Sequence, residues 1–274
     1  MRSHFLKMIR EIASEEGARV KFYSDGWGIR LKKGKKTAYI VGYHFPLNSS
    51  GVKELLQDKC LTYEVLKSEK VPAAVHLFLP HGTETNSLET APVKEQLREW
   101  IRQDGFAVIK NNYGTGGHQV YRVRSEEEIG EALSAVYQKA YAAAVSPFYE
   151  IREEYRVVML DGQPMLTIRK ERESVTENGV KRYVNWKHNL GQGATGVVVT
   201  DRTVLKALYR LAKRTVSVLG ARFASVDIID TEDGLKVLEV NSGVMLEHFA
   251  GQDDECYRLA KNAYHQAVKA ILEG

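Results

Sequence analysis

The stretch Ala224-Ser-Val-Asp227-Ile-Ile-Asp230, followed by Leu235-Lys-Val-Leu-Glu239-Val-Asn241, decides how this chain is read. Both runs are apolar and β-branched and flank a turn containing Asp233-Gly234, so the pattern predicts a β-hairpin. Each run nevertheless carries a carboxylate where a buried strand should have none. Glu239 and Asn241 are two apart and point to one side of the sheet. With an odd number of residues in the connection, Asp227 stands opposite Glu239 on that side. Two facing carboxylates shielded from water repel, and burying either one unpaired forces it to protonate or costs heavily. A hard divalent cation resolves the conflict, because Mg²⁺ accepts carboxylate and amide oxygens and keeps positions for phosphate. Arginine partners or exposure to water would resolve it equally well.

Outward from this hairpin, the 274 residues are enough to bury a sizeable core, as one large domain or two modest ones. The net charge is +4, and the densest basic run, Lys32-Lys33-Gly34-Lys35-Lys36, straddles a glycine between two strand-like segments. It reads as a solvated hairpin tip rather than a nucleic-acid contact. Two cysteines, Cys60 and Cys256, lie far apart without metal-ligand spacing. The N-terminus is amphipathic and lacks the apolar core of a signal peptide, and no stretch is long enough to span a bilayer. A cytosolic (cytoplasmic) protein without membrane or nucleic-acid partners is the expectation.

Along the chain, Phe5 to Glu16 has helical periodicity, and Arg19–Tyr23, Gly28–Lys32 and Thr37–Val41 read as short strands. Asp58 to Glu69 reads as a helix closed by Pro72, and 81–90 as a linker. A helix beginning near Thr90, with Pro92 in its first turn, runs to about Gln103. Then come strand Phe106–Lys110, a glycine-rich loop, strand Gln119–Val123, a helix from Ser125 to about Tyr141, and strand Phe148–Ile151. Tyr155–Leu160 and Gln163–Arg169 form a hairpin around Asp161-Gly162. Asp201 caps a helix to Leu219, and a terminal helix runs from Asp253 to Leu272.

Several segments carry groups suited to chemistry. Lys110-Asn-Asn-Tyr-Gly114-Thr115-Gly116-Gly117 offers flexible backbone N–H groups and a cation, the components of a phosphate cradle, although an ordinary hairpin loop would look the same. A two-residue turn at Asp161-Gly162 sets Glu154 opposite Arg169 and Arg156 opposite Thr167. That charged face is either a surface ladder or one wall of an anion site. Asn189-Leu-Gly191-Gln192-Gly193 is a second glycine-rich segment, and Lys59 sits on the helix after Asp58.

In this order, Asp58-Lys59…Thr62, Lys110 with Gly114–Gly117, Glu154-Tyr-Arg156, Arg169, Asn189 with Gly191 and Gly193, and Asp227…Glu239-Val-Asn241 resemble the ATP-grasp superfamily over about residues 36–250. The modules of cyanophycin synthetase and fused bacterial glutathione synthetase look most similar. The resemblance implies an α+β (α/β) ATP-grasp fold, two α+β subdomains clasping ATP, with a reduced N-terminal domain. It divides the chain into a short N-terminal segment (1–57), a lid subdomain (58–152) and a metal-binding subdomain (153–274). It further implies that Lys59 and Lys110 hold ATP phosphates under the loop Gly114, Thr115, Gly116 and Gly117. Glu150 and Ile151 would lie by the adenine and Glu154 by the ribose. Asp227, Glu239 and Asn241 would ligate Mg²⁺, with Mn²⁺ as a substitute, and Arg169 and Asn189 would serve the transferred phosphoryl and substrate selectivity.

The implied activity is an ATP- and Mg²⁺-dependent carboxylate–amine ligase that forms an amide or peptide bond through an acyl phosphate, on an amino acid or peptide. Such phosphoryl transfer rests on positioning and charge neutralisation, so the lack of a Ser-His-Asp or Cys-His set is expected. Two alternatives stand beside it: a catalytically silent nucleotide-binding regulatory module, and a phosphotransferase to a non-carboxylate acceptor. The resemblance also admits a homodimer. Two departures concern the substrate: the short segment before Lys59, and Ser-Gly-Val-Met after Asn241 in place of Pro-Gly.

Overall fold

The computed structural model describes residues 2–82, 90–177, 180–183, 190 and 193–274. Helix α1 (Ser3–Glu15) precedes an antiparallel three-stranded sheet, β1 (Arg19–Tyr23), β2 (Gly28–Lys33) and β3 (Lys36–Val41). Lys33 pairs with Lys36 across the β2–β3 turn, so the basic run is indeed a hairpin tip. Alternation in these strands sends Ile29, Leu31, Ala38 and Ile40 into a core shared with α1. Glu247 ties α1 to the C-terminal part, its carboxylate accepting from the N–H groups of His4 and Phe5 at 2.9 Å each. These are donors that a helix N-terminus otherwise leaves unpaired.

Helices α2 (Ser50–Gln57) and α3 (Lys59–Ser68) follow, and the Asp58 side chain caps α3 by accepting from Leu61 N–H at 2.8 Å. Next come β4 (Leu77–Pro80), α4 (Ala91–Asp104), β5 (Ala107–Asn111), β6 (Val120–Val123), α5 (Glu126–Tyr137) and β7 (Ala142–Pro147). The expected linker 81–90 lies mostly outside the described residues. These strands form a sheet in the order β4-β7-β5-β6, with a core of Leu97, Ile109, Ile129, Val136 and Val145 against α4 and α5. The expected strand Phe148–Ile151 is absent; the strand lies earlier, over Ala142–Pro147. Its Ala142, Ala143 and Ala144 favour helix locally, but full burial between two neighbouring strands overrides propensity. Phe148–Ile151 is irregular backbone that crosses to the next sheet.

The second half is a five-stranded sheet in the order β12-β9-β8-β13-β14, from β8 (Glu153–Leu160), β9 (Gln163–Glu171), β12 (Thr195–Val198), β13 (Phe223–Thr231) and β14 (Gly234–Asn241). A separate pair, β10 (Ser174–Glu177) and β11 (Val180–Tyr183), lies between β9 and β12 in sequence. Helix α6 (Arg202–Leu219) covers one face over Tyr155, Val157, Val226 and Ile228. The other face packs Val158, Leu160, Leu166 and Ile168 against α1, the N-terminal sheet and α8 (Asp254–Glu273), which follows the short α7 (Glu247–Ala250). The mixture of helices and antiparallel sheets is the expected α+β class.

Two β-bulges set which side chains share a face. In β8–β9, Leu160 pairs with Gln163 across the two-residue turn, but the register shifts after Met159–Pro164, leaving Met165 as the extra residue. Tyr155, not Glu154, therefore stands opposite Arg169. In β13–β14 the connection is the even pair Glu232-Asp233, and the extra residue Leu238 restores the odd count that places Asp227 opposite Glu239.

Candidate nucleotide-binding and ligation site

A cavity of about 1060 Å³ lies between the two larger sheets. From the first, alternation along β5 buries Ile109 in the core and turns Val108 and Lys110 toward the cavity, beside Ser146 of β7. Lys110 is 7% exposed and makes no hydrogen bond or ion pair among the described residues. Burial, then the neighbouring Lys59, lowers its ammonium to about 8. Lys59 opens α3 at the same wall, where its Nζ donates to the carbonyl oxygens of Gly114 and of Asn112, the latter at 3.3 Å. Burial lowers the Lys59 pKa as well.

The loop after β5 returns over these ammonium groups. Gly116 and Gly117 both have φ of +70°, a backbone conformation that a side chain would strain. Asn112 fastens the loop's base to α3: its Oδ1 accepts from Cys60 N–H at 3.1 Å, while its buried Nδ2 has no hydrogen-bond acceptor among the described residues. The Tyr113 hydroxyl donates to Asp58 at 2.9 Å. Glu150 and Ile151 border the cavity from the crossing segment.

The second sheet contributes a buried quartet. Arg156 donates two parallel hydrogen bonds to Asp227, Nε at 2.8 Å and Nη2 at 2.7 Å. Lys170 Nζ bridges Asp227 at 2.9 Å and Glu154 at 2.5 Å. Burial alone would raise the Asp227 carboxyl, but Arg156 and Lys170 outweigh it and hold it well below the usual carboxylate range. Glu154 is shifted upward by burial, against the opposing pull of Lys170. Glu239 and Asn241, at the end of β14, remain half-buried and border the cavity, with Asn241 Nδ2 donating to Glu239 at 3.3 Å.

Measured against the sequence expectations, the cavity brings together Lys59, Lys110, Gly114, Thr115, Gly116, Gly117, Glu150, Ile151, Glu154, Glu239 and Asn241. Two expected residues are placed otherwise. Arg169 points to the opposite face of β9, where it pairs with Glu171 and, at 3.7 Å, with Glu153; the Met165 bulge turns Lys170 inward instead. Asp227, expected to ligate metal, has both carboxylate oxygens engaged by Arg156 and Lys170. Among the described residues no group of three or more His, Cys, Asp or Glu side chains is arranged to hold a metal ion. Asn189 lies outside the described residues.

The sequence reading missed Lys170 and His76. His76 is 2% exposed and borders the cavity, its Nε2 without a partner among the described residues, and burial, followed by Lys110 and Lys59, keeps the imidazole neutral. The Lys170 signal was present as a cation next to Arg169, but only the bulge distinguishes the two. No local pattern marks His76.

Residues 57–255 match the model of the RimK-like ATP-grasp domain, and the chain belongs to that family. The tetrahydromethanopterin:alpha-L-glutamate ligase of Methanocaldococcus jannaschii is 30% identical over 175 residues, which cover 64% of this chain and 58% of that protein. The chain thus spans less than two thirds of that relative. Two solved structures share the fold. One is the D-alanine–D-alanine ligase from Bacillus anthracis complexed with ATP, at a TM-score of 0.58 and 15% identity, covering 80% of this chain and 68% of that one. The other is the bifunctional glutathione synthetase from Pasteurella multocida, at 0.54 and 14%, covering 86% and 39%. Among the described residues no helix is long and apolar enough to cross a membrane.

Proposed function

We propose that this chain is an ADP-forming carboxylate–amine ligase that uses ATP and Mg²⁺ and acts on an amino acid or peptide. The observation that carries the reading is the convergence of Lys59, Lys110 and the glycine loop on the cavity that Glu239 and Asn241 also border. Two neighbouring ammonium groups, Lys59 partly buried and Lys110 buried without any partner among the described residues, suit a polyphosphate far better than a neutral ligand. The Bacillus anthracis ligase is complexed with ATP and the archaeal relative is named a glutamate ligase, and both point the same way.

The donor chemistry of Glu239 and Asn241 fits a magnesium ion, one carboxylate and one amide oxygen with room for phosphate and water. Asp227 does not fit while it is held by Arg156 and Lys170. When bound, the metal would neutralise phosphate charge. In this reading Lys59 and Lys110 hold the phosphates, and the loop Gly114–Gly117 covers them and excludes water. A substrate carboxylate oxygen attacks the γ-phosphorus, ADP departs, and an acyl phosphate forms. An amine nitrogen then attacks the acyl carbon, phosphate leaves, and the nitrogen loses a proton to give the amide. Lys170 and Arg156, next to the cavity, are the cations nearest in kind to the role expected of Arg169.

The test is release of ADP and phosphate with ATP, Mg²⁺ and pooled amino acids, subdivided until one acid and one amine suffice. Release that requires both, and is lost in Glu239→Gln, supports the ligase. A second reading, a nucleotide-binding module without turnover, is favoured by the engagement of Asp227 in ion pairs. Tight ATP binding with no ADP from any pool would establish it.

A further inference from the structure

The outer face of the N-terminal sheet is basic. Its 17 strand residues include no acid, and the register aligns Arg19 with Lys32 and Lys21 with Arg30. None of these four cations has an ion-pair partner among the described residues, whereas the neighbouring Lys33 pairs with Glu16 at 3.1 Å. A shallow depression of about 140 Å³ opens among them. The acids nearest in sequence are Glu16, which is taken up by Lys33, and Asp25, in the β1–β2 turn.

The same face carries exposed aromatic surface toward one end. Tyr39 is 56% exposed and Trp27 58%, and Tyr23 and Val41 flank Gly28 in one row. Trp27 also borders the large cavity, its ring packed so closely on Gly42 that a Cβ there would lie 3.1 Å away. Basic strip, aromatic shelf and cavity mouth are therefore continuous. Lys32 lies five residue steps beyond Trp27, about 17 Å of extended strand.

We infer that this face is a docking strip for the acidic segment of a peptide substrate whose reacting end enters the cavity past Trp27. The inference rests on the ligase reading for the identity of the cavity, and on the face itself for the charge of the substrate. Unpaired cations two apart along a strand, about 6.6 Å, match carboxylates at alternate positions of an extended peptide. A substrate must extend for about five or six residues beyond the cavity mouth to reach Arg30 and Lys32. Free amino acids and dipeptides do not reach.

The test is fluorescence anisotropy of the full chain with a fluorescein-labelled ten-residue peptide of alternating glutamate and glycine, alongside a serine–glycine peptide and decauridylate. The acidic peptide binds, the neutral one does not, and R30E/K32E weakens binding by about tenfold or more. Raising NaCl from 50 to 300 mM weakens the wild-type complex similarly. R30Q/K32Q, which makes a smaller surface change, has an intermediate effect, and thermal melts confirm that both variants fold. Absence of acidic-peptide binding, binding indifferent to both variants, or a preference for decauridylate overturns the inference. ADP release is measured in parallel with ATP, Mg²⁺, pooled amino acids and the unlabelled acidic peptide together: peptide binding without any turnover refutes the ligase reading alone, and turnover without peptide binding refutes the strip alone.

Discussion

Glu154, Arg156 and Lys170, which with the fully buried Asp227 form a quartet, and the pair Lys59 and Lys110 border one cavity, yet charge is balanced differently in each. The quartet balances two carboxylates against two cations through hydrogen bonds of 2.5 to 2.9 Å. The pair has no carboxylate within bonding distance; Lys59 rests on backbone carbonyls and Lys110 on nothing among the described residues. Charge balanced within the protein holds a sheet together, and charge left unbalanced awaits a ligand. The family to which the chain belongs uses ATP, and the unbalanced side is where a polyphosphate would be neutralised.

This contrast breaks first at Asp227. Replacing it with alanine strands two buried cations and should destabilise the fold by about 3–5 kcal/mol, read from urea unfolding. A loss below about 1 kcal/mol would show that the quartet is not the internal brace described. Lys110→Met should do the opposite. With the Lys110 pKa lowered from 10.5 to about 8, the folded state disfavours the charged form by about 3 kcal/mol at pH 7. The nucleotide-free variant should therefore be more stable by up to about that amount, while ATP affinity falls at least tenfold by calorimetry.

The sign of the pH dependence follows from the same group. A base whose folded pKa is depressed penalises the fold below about pH 8, and the penalty fades as pH rises toward 10.5. Stability without nucleotide should therefore gain with pH across that window, and the gain should vanish in Lys110→Met. Bound phosphates would restore the proton, so ATP affinity should fall above pH 8, by at most tenfold per unit. The smallest effect belongs to Arg169→Ala, whose half-exposed pairs contribute under about 1 kcal/mol and which should leave turnover within twofold. Lys170→Ala should abolish turnover; equal effects at the two positions would overturn the register.

How far the sequence could be read follows from where local patterns suffice. Hairpins, the cap at Asp201, and the lysine and glycine positions depend on neighbours a few residues apart, and they were legible. The face of a strand is local too, but only until a bulge intervenes. Met165 and Leu238 each shift one register by a residue, with opposite outcomes. One removes Arg169 from the cavity and brings in Lys170, and the other brings Asp227 opposite Glu239 despite an even turn. Asp227 was legible as a carboxylate in need of a partner, but the partner is two strands of cations that are distant in sequence. The alanine strand Ala142–Ala144 and the cavity role of His76 depend on tertiary burial alone.

Carboxylate activation by the phosphates held at Lys59 and Lys110 is the central claim, and isotope transfer tests it most directly. With the accepted acid labelled by ¹⁸O in its carboxylate, the reaction should yield inorganic phosphate carrying one ¹⁸O for each amide formed. Unlabelled phosphate accompanying ADP would contradict the account, because the carboxylate would never have been phosphorylated.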